Sequence, residues 1–190
     1  MLAKVVLGMT MSLDGYINDS NGSVGRLYRD LNELRNSDIL QNSIRNTGAV
    51  IMGKNAFNMA EDTDWYAGNY EYQVPIFVLC GSKPHKHPKE TDKLRFTFVT
   101  EGIEHAIALA KESAEDKEVT IIGGASTFQQ GINSDLIDEL QIDIMPVLLG
   151  KGQKLFEHIA ETPIELEKIR VVEVGERTCF QFRVVKRGRN

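Results

Sequence analysis

Short apolar runs alternate along the chain with glycine-marked turns and with stretches whose apolar residues fall at helical spacing. Residues 3–10 (Ala-Lys-Val-Val-Leu-Gly-Met-Thr) form the first run, partly β-branched and closed by a turn at Asp14-Gly15, which predicts a buried strand. A polar loop over Asn18–Ser23 follows. Leu27, Leu31, Leu34, Leu40 and Ile44 then fall at helical spacing, open to interruption at Asn36-Ser37. Ala49–Met52, set between Gly48 and Gly53, reads as a second buried strand, and Pro75–Cys80, Phe96–Val99 and Val119–Ile122 read as three more. The acidic, aromatic stretch Ala60–Val74 has no period and reads as a loop, as does the polar stretch His85–Asp92. Ile103, Ala106, Ile107, Ala110 and Ala114 make a helical stripe, and a short helix opens near Ser126. Leu136–Val147 is strand-like, and residues 164–174 and 178–186 flank Gly175-Glu176 as a hairpin.

Strands alternating with helices predict an α/β fold: a mostly parallel central sheet with helices on both faces and an antiparallel hairpin at its edge. No repeat or linker divides residues 1–190, so a single domain is expected, with 3–185 structured and the basic end Lys186-Arg187-Gly188-Arg189-Asn190 a solvated tail. The apolar fraction of 42% and charged fraction of 26% speak against disorder. A net charge of −5 offers nucleic acid no basic face. Cys80 and Cys179 are too few for a disulfide framework or a four-cysteine zinc site, and both sit in apolar or strand-like runs as small buried hydrophobes. No apolar run reaches signal-peptide or membrane-span length, so a cytoplasmic protein with no membrane partner is expected.

Three predicted strand ends carry the candidate chemistry. Gly48–Asn55 approximates a phosphate-binding P-loop, but its spacer is strand and Asn55 stands where a Ser or Thr would hold magnesium. As a strand end, Gly53 lets a ligand approach the backbone, Lys54 adds charge, and a helix starting near Asn55 would offer amides to a phosphate. Gly123-Gly124 followed by Ser126, Thr127 and Phe128 repeats the design. The third end carries Ser82 and Lys83 and no carboxylate, which favours the 2′-phosphate of NADPH over NADH if a dinucleotide binds. The G-x-G-x-x-G fingerprint is missing.

Thr10-Met-Ser-Leu-Asp14-Gly15-Tyr-Ile, Val50-Ile-Met-Gly53-Lys54, Ile122-Gly123-Gly124 and Leu136–Gly152, with its Asp138-Glu139-Leu140 and Pro146-Val-Leu-Leu-Gly150 elements, occur in the order of the dihydrofolate reductase superfamily. The resemblance spans residues 3–185 and is nearest to the reductase domain of the bifunctional riboflavin-biosynthesis deaminase–reductase and its stand-alone relatives. It implies a three-layer dihydrofolate-reductase-like fold with NADPH across the carboxyl edge of the sheet, reducing a small heterocycle such as 5-amino-6-(5-phosphoribosylamino)uracil. It would place Gly53, Lys54 and Asn55 at the phosphates, Ser82 and Lys83 near the 2′-phosphate, and Gly123, Gly124, Ser126, Thr127 and Phe128 along the pyrophosphate and nicotinamide. Thr10 and the Asp14-Gly15 turn would flank nicotinamide and substrate, with Asp38 or Asp14 delivering the proton.

The chain also departs from its relatives. The Trp-x-Leu-Pro segment of folate reductases, the zinc signature of the deaminase half and the glutamate before Gly-Gly (here Ile122) are all missing. Folate reduction and a non-catalytic NADPH sensor therefore stay open beside the uracil reductase. Trp65-Tyr66 and Tyr70-Glu71-Tyr72 either cap a cleft or pack a long loop. His85-Lys86-His87 reads as surface, so no metal site is expected. Val172, Val174, Phe180, Phe182 and Val184 suggest one apolar hairpin face, which either covers the core of its own subunit or, as the dimers of the relatives imply, joins two chains in a homodimer.

Overall fold

The apolar runs pair side by side because each brings a row of backbone donors and acceptors that only a neighbouring strand satisfies. In the computed structural model, which describes residues 3–186, eight strands form one sheet. They are β1 (Val5–Ser12), β2 (Thr47–Gly53), β3 (Ile76–Leu79), β4 (Phe96–Val99), β5 (Glu118–Ile122), β6 (Glu139–Met145), β7 (Leu166–Val174) and β8 (Arg177–Val184). Their order is β4-β3-β2-β5-β1-β6-β8-β7. The first six in that order are parallel, and β8 and β7 close the edge antiparallel. The helices are α1 (Leu31–Arg35), α2 (Asp38–Asn46), α3 (Lys54–Phe57), α4 (Tyr66–Asn69), α5 (Ile103–Ala114) and α6 (Ala125–Asn133).

Strand alternation sends Leu7, Ile51 and Ile121 to one face, where they meet Ile107 of α5 and Phe128 of α6. Val50, Met52, Ile76 and Val78 point the other way, onto Phe57, Tyr66 and Tyr72, with Leu40 and Ile44 of α2 alongside. The result is the expected three-layer fold, with a core on each side of the sheet.

The long helical stripe from Leu27 to Ile44 divides into a 3-10 turn (Gly25–Leu27), α1 and α2. Ser37 makes the second break by capping α2, its hydroxyl accepting from Leu40 N at 3.3 Å. The period-free stretch 60–74 holds a 3-10 turn (Thr63–Trp65) and α4, both too short to show a period. Asp138 precedes β6 rather than joining it, and its carboxylate accepts from Val5 N at 2.8 Å.

The hairpin turn stands at Gly175-Glu176, with Val174 opposite Arg177 and Gly175 at φ 55°. The single apolar face does not hold. Val172 and Val174 lie opposite Cys179 and Arg177, whereas Phe180 and Phe182 alternate with these and point to the other face. A two-residue turn imposes this register, because directly opposed residues share a face. Phe180 and Phe182 stack at 6.0 Å, and Phe182 packs against the core. Of the basic tail, only Lys186 lies among the described residues, bonded to the carbonyls of Asp135 and Ile137. Among the described residues no helix is long and apolar enough to cross a membrane, and no cluster could hold a metal ion. The 85–87 stretch is surface, with Lys86 paired to Asp64 at 2.6 Å and His87 to Glu90 at 3.0 Å.

Candidate active site

Parallel strands leave their carboxyl ends at one rim, and two concavities open there. A groove of about 370 Å³ runs over the ends of β2, β3 and β5, lined by Gly53, Lys54, Asn55, Gly81, Gly124, Ser126 and Thr127 among others, none of them Asp or Glu. A cavity of about 740 Å³ lies on the α2 face of the sheet. The two meet across very little backbone, since Met52 and Ile122 line the cavity while Gly53 and Gly124 line the groove.

The glycines at these ends do two different things. A Cβ on Gly53 would stand 2.3 Å from Thr127 Oγ1, and one on Gly123 would stand 2.9 Å from Thr127 Cβ. Both are therefore needed to seat the start of α6 against β2. Gly81 and Gly124 have nothing within 4 Å of an added Cβ, so their bare faces belong to the groove. Gly124 is the N-cap of α6 and supplies no side-chain cap, which leaves the first-turn amides of a nine-residue helix free for an anion. The expected helix at Asn55 is only the four-residue α3, too short to carry a useful dipole. Small residues, a lysine, open amides and no carboxylate fit a dinucleotide's phosphates.

Ser82 and Lys83 are exposed just beyond Gly81 and line neither space. Phe128 is fully buried in the core, edge-on to Phe156, so its side chain presents nothing to the groove. Gly15, at φ 86°, forms the turn after β1 and accepts from Leu155 N at 2.9 Å.

The two carboxylates expected to handle protons stand elsewhere. Asp38 is exposed in the first turn of α2 and lines neither space, because Leu40 and Ser43 are the residues that the helix turns inward. Asp14 is held by the Ser12 hydroxyl at 2.6 Å and by the amides of Leu149 and Gly150 at 3.1 and 2.7 Å. These bonds, with Ser12 foremost, lower its carboxyl to about 2. Asp14 is therefore ionised at neutral pH and anchors the 147–150 turn.

The cavity floor is sheet: Gly8 and Thr10 of β1, Thr120 and Ile122 of β5, Gln141 and Asp143 of β6. Its walls are Leu40, Ser43, Tyr28 and the aromatic stretch, where Trp65, Tyr66, Tyr70 and Tyr72 all contribute. Both open readings of that stretch hold, since Tyr66 also stacks on Phe57 at 5.3 Å within the core. Burial pushes the Tyr66 and Tyr72 hydroxyls up to about 12, so both are neutral donors.

Behind the floor lies a charge network that the sequence reading did not find. Arg177 is fully buried. It donates to both oxygens of Asp30 at 2.9 and 2.6 Å, to Leu27 O at 3.1 Å, and to Thr10 Oγ1 and Asp143 Oδ2 at 3.3 Å each. Its guanidinium also sits 5.4 Å from the Tyr28 ring centre. Asp143 Oδ1 is buried and has no hydrogen-bond partner of regular geometry among the described residues, although the Cys179 thiol and Gln141 favour its ionised form. Burial outweighs these and Arg177, and raises the Asp143 carboxyl. For Asp30 burial acts the same way, but the bidentate Arg177 contact wins and lowers it. A signal was present: Asp143 is a lone carboxylate inside an apolar run, on the same strand face as Gln141.

The pattern of the RibD C-terminal domain family matches residues 3–180. YwjB, an uncharacterised Bacillus subtilis (strain 168) protein, is 29% identical over 170 residues, covering 88% of this chain and 91% of its own. A Shewanella sp. PV-4 protein assigned provisionally to riboflavin biosynthesis superposes with TM-score 0.76 at 25% identity, over 97% of this chain and 99% of its own. Enterococcus faecalis dihydrofolate reductase, solved with NADP(H), has the same fold, with TM-score 0.63 at 16% identity over 97% and 99%.

Proposed function

Because the chain belongs to the RibD C-terminal domain family, we propose that it is a cytoplasmic NADPH-dependent oxidoreductase transferring hydride to a small flat heterocycle. In fold and cofactor handling it is most like the 5-amino-6-(5-phosphoribosylamino)uracil reductase. One observation carries the reading: a carboxylate-free groove at glycine-marked strand ends backs directly onto an aromatic cavity. When bound, NADPH supplies the hydride. Lys54 and the first amides of α6 hold the phosphates, and the aromatic wall sequesters the ring from water. Asp143, the buried carboxyl raised at the cavity floor, takes the proton-holding role in place of Asp38 and Asp14, at its unpartnered Oδ1. Turnover of NADPH with a panel of rings, beside a binding titration, separates this reading from folate reduction and from a sensor, which would bind without turnover.

The side chains of Lys83 and Lys54 bear on cofactor choice. Charge-assisted phosphate contacts contribute about 1.5–3 kcal/mol each. Lys83→Glu is therefore expected to weaken NADPH at least about tenfold while changing NADH little. Equal affinity of the unaltered protein for the two cofactors would remove the 2′-phosphate assignment.

The reading includes a homodimer. β7 is the sheet's outer strand, and Leu166, Ile169 and Val171 on it are each more than 40% exposed. Light scattering at micromolar concentration is expected to give twice the chain mass, and Val171→Asp to halve it without unfolding. A monomer at every accessible concentration ends the dimer assignment and leaves the reductase reading intact.

A further inference from the structure

If the aromatic cavity holds the ring to be reduced, the charges around it select which rings enter. Its titratable lining, apart from the tyrosines, is Arg35, Glu61, Asp62, Glu71 and Asp143. Arg35 is exposed at the rim. The buried cation behind the floor has nothing to spare: Arg177 donates to Asp30, Asp143, Thr10 and Leu27 O, and faces two carboxylates against its one charge. Asp62 is offset only at 3.8 Å by Lys86, with both side chains largely exposed. Tyr66 and Tyr72 stay neutral, and Glu71 is among the causes that push each hydroxyl up. A phosphate monoester carries close to two negative charges and is held by cations or converging amides. Among the described residues the cavity's lining offers one cation, Arg35 at the exposed rim, against the four carboxylates Glu61, Asp62, Glu71 and Asp143, and its aromatic faces attract positive charge.

The groove is the reverse, with Lys54, the α6 amides and no carboxylate. The lysine and open amides thus lie on one side of β2 and β5, and the aromatic cavity on the other. We infer that the cavity takes a flat, unphosphorylated ring, neutral or cationic, and discriminates against the same ring carrying a phosphate. A volume of about 740 Å³ accommodates a bicyclic ring with a substituent. This rests on the proposed reductase reading only in naming the ring as substrate; the selection itself is a property of the cavity.

Trp65 is the chain's single tryptophan and lines the cavity, so its emission reports occupancy without turnover. The test titrates the full chain, with and without NADPH, with an aminopyrimidine, its N-riboside and the riboside 5′-phosphate. The first two should quench Trp65 with similar affinity, and the phosphate should bind at least about tenfold more weakly, a gap that narrows as salt rises. Glu71→Gln should narrow it as well. Equal or tighter binding of the phosphate, or no quenching by any of the three, overturns the inference. A separate NADPH titration keeps the two readings apart: no NADPH binding beside an intact ring preference sinks the reductase reading and leaves this one standing.

Discussion

Arg177→Met is expected to cost about 3–5 kcal/mol of stability, a large share of the roughly 5–15 kcal/mol that keeps a domain folded. The substitution keeps a long apolar stem but strips the partner from Asp30 and removes the only ion pair of Asp143 among the described residues. It also leaves Leu27 O and Thr10 Oγ1 without their donor. Urea unfolding followed by Trp65 emission measures the loss. The pH dependence has a definite sign. Without the guanidinium, both carboxyls are raised in the folded state above their unfolded values, so folding takes up protons and the variant regains stability as pH falls. In the parent protein Asp30 is lowered, so its contribution is present above the unfolded carboxylate value and is lost as pH falls through the lower folded one. Adding Asp30→Asn and Asp143→Asn to the variant should restore part of the loss, because neutral amides are cheaper to bury unpaired. A loss under about 1 kcal/mol for Arg177→Met would place it among exposed ion pairs and refute the account of the network.

Gly124→Val is expected to leave the melting temperature nearly unchanged and to reduce NADPH affinity by at least about tenfold, the size of one lost charge-assisted contact. The backbone there is at φ −71° and ψ 173°, an extended conformation open to valine, and an added Cβ meets nothing within 4 Å. The side chain would fill the bare patch over which the phosphates are proposed to pass. Gly123→Val separates packing from binding. Its Cβ would meet Thr127 Cβ at 2.9 Å and Gly53 N at 3.3 Å, so it should unseat α6 and lower stability. Circular dichroism melts and cofactor titrations on both variants decide the matter. Normal NADPH binding by Gly124→Val would show that the second glycine is only a turn.

Most strands were legible because a buried parallel strand announces itself as a short apolar run, as Ala49–Met52 and Val119–Ile122 do. The groove was legible for a related reason: glycine after such a run marks backbone that something approaches. Sequence could not say what approaches. At Gly53 and Gly123 it is Thr127 of the same chain, and only at Gly81 and Gly124 is the space free. The hairpin faces were misjudged because alternation was counted along each strand without the register across the turn, which sets Val174 opposite Arg177. Asp38, expected by resemblance to handle a proton, is rotated to solvent by its helix. Asp143 carried a signal within its apolar strand, but Arg177 and Asp30 are meaningful only in three dimensions. Arg177 and Asp30 are separated by 147 positions, and each alone reads as an ordinary surface charge.

The position of β1 has a consequence for how the chain is made. It is the first of the eight strands to be synthesised and stands near the middle of the finished sheet, between β5 and β6. Val5 pairs with Val119 and Val6 with Glu139, so neither neighbour exists until synthesis has passed those distant positions. Over that interval Val5, Leu7 and Met11, all buried at the end, have no native cover. Partnerships this distant make a domain slow to fold, since the loop entropy is lost before the contacts that repay it can form. Nascent chains should therefore depend on chaperones until β6 has emerged, and a chain halted before Glu139 would hold its central strand with one side unpaired.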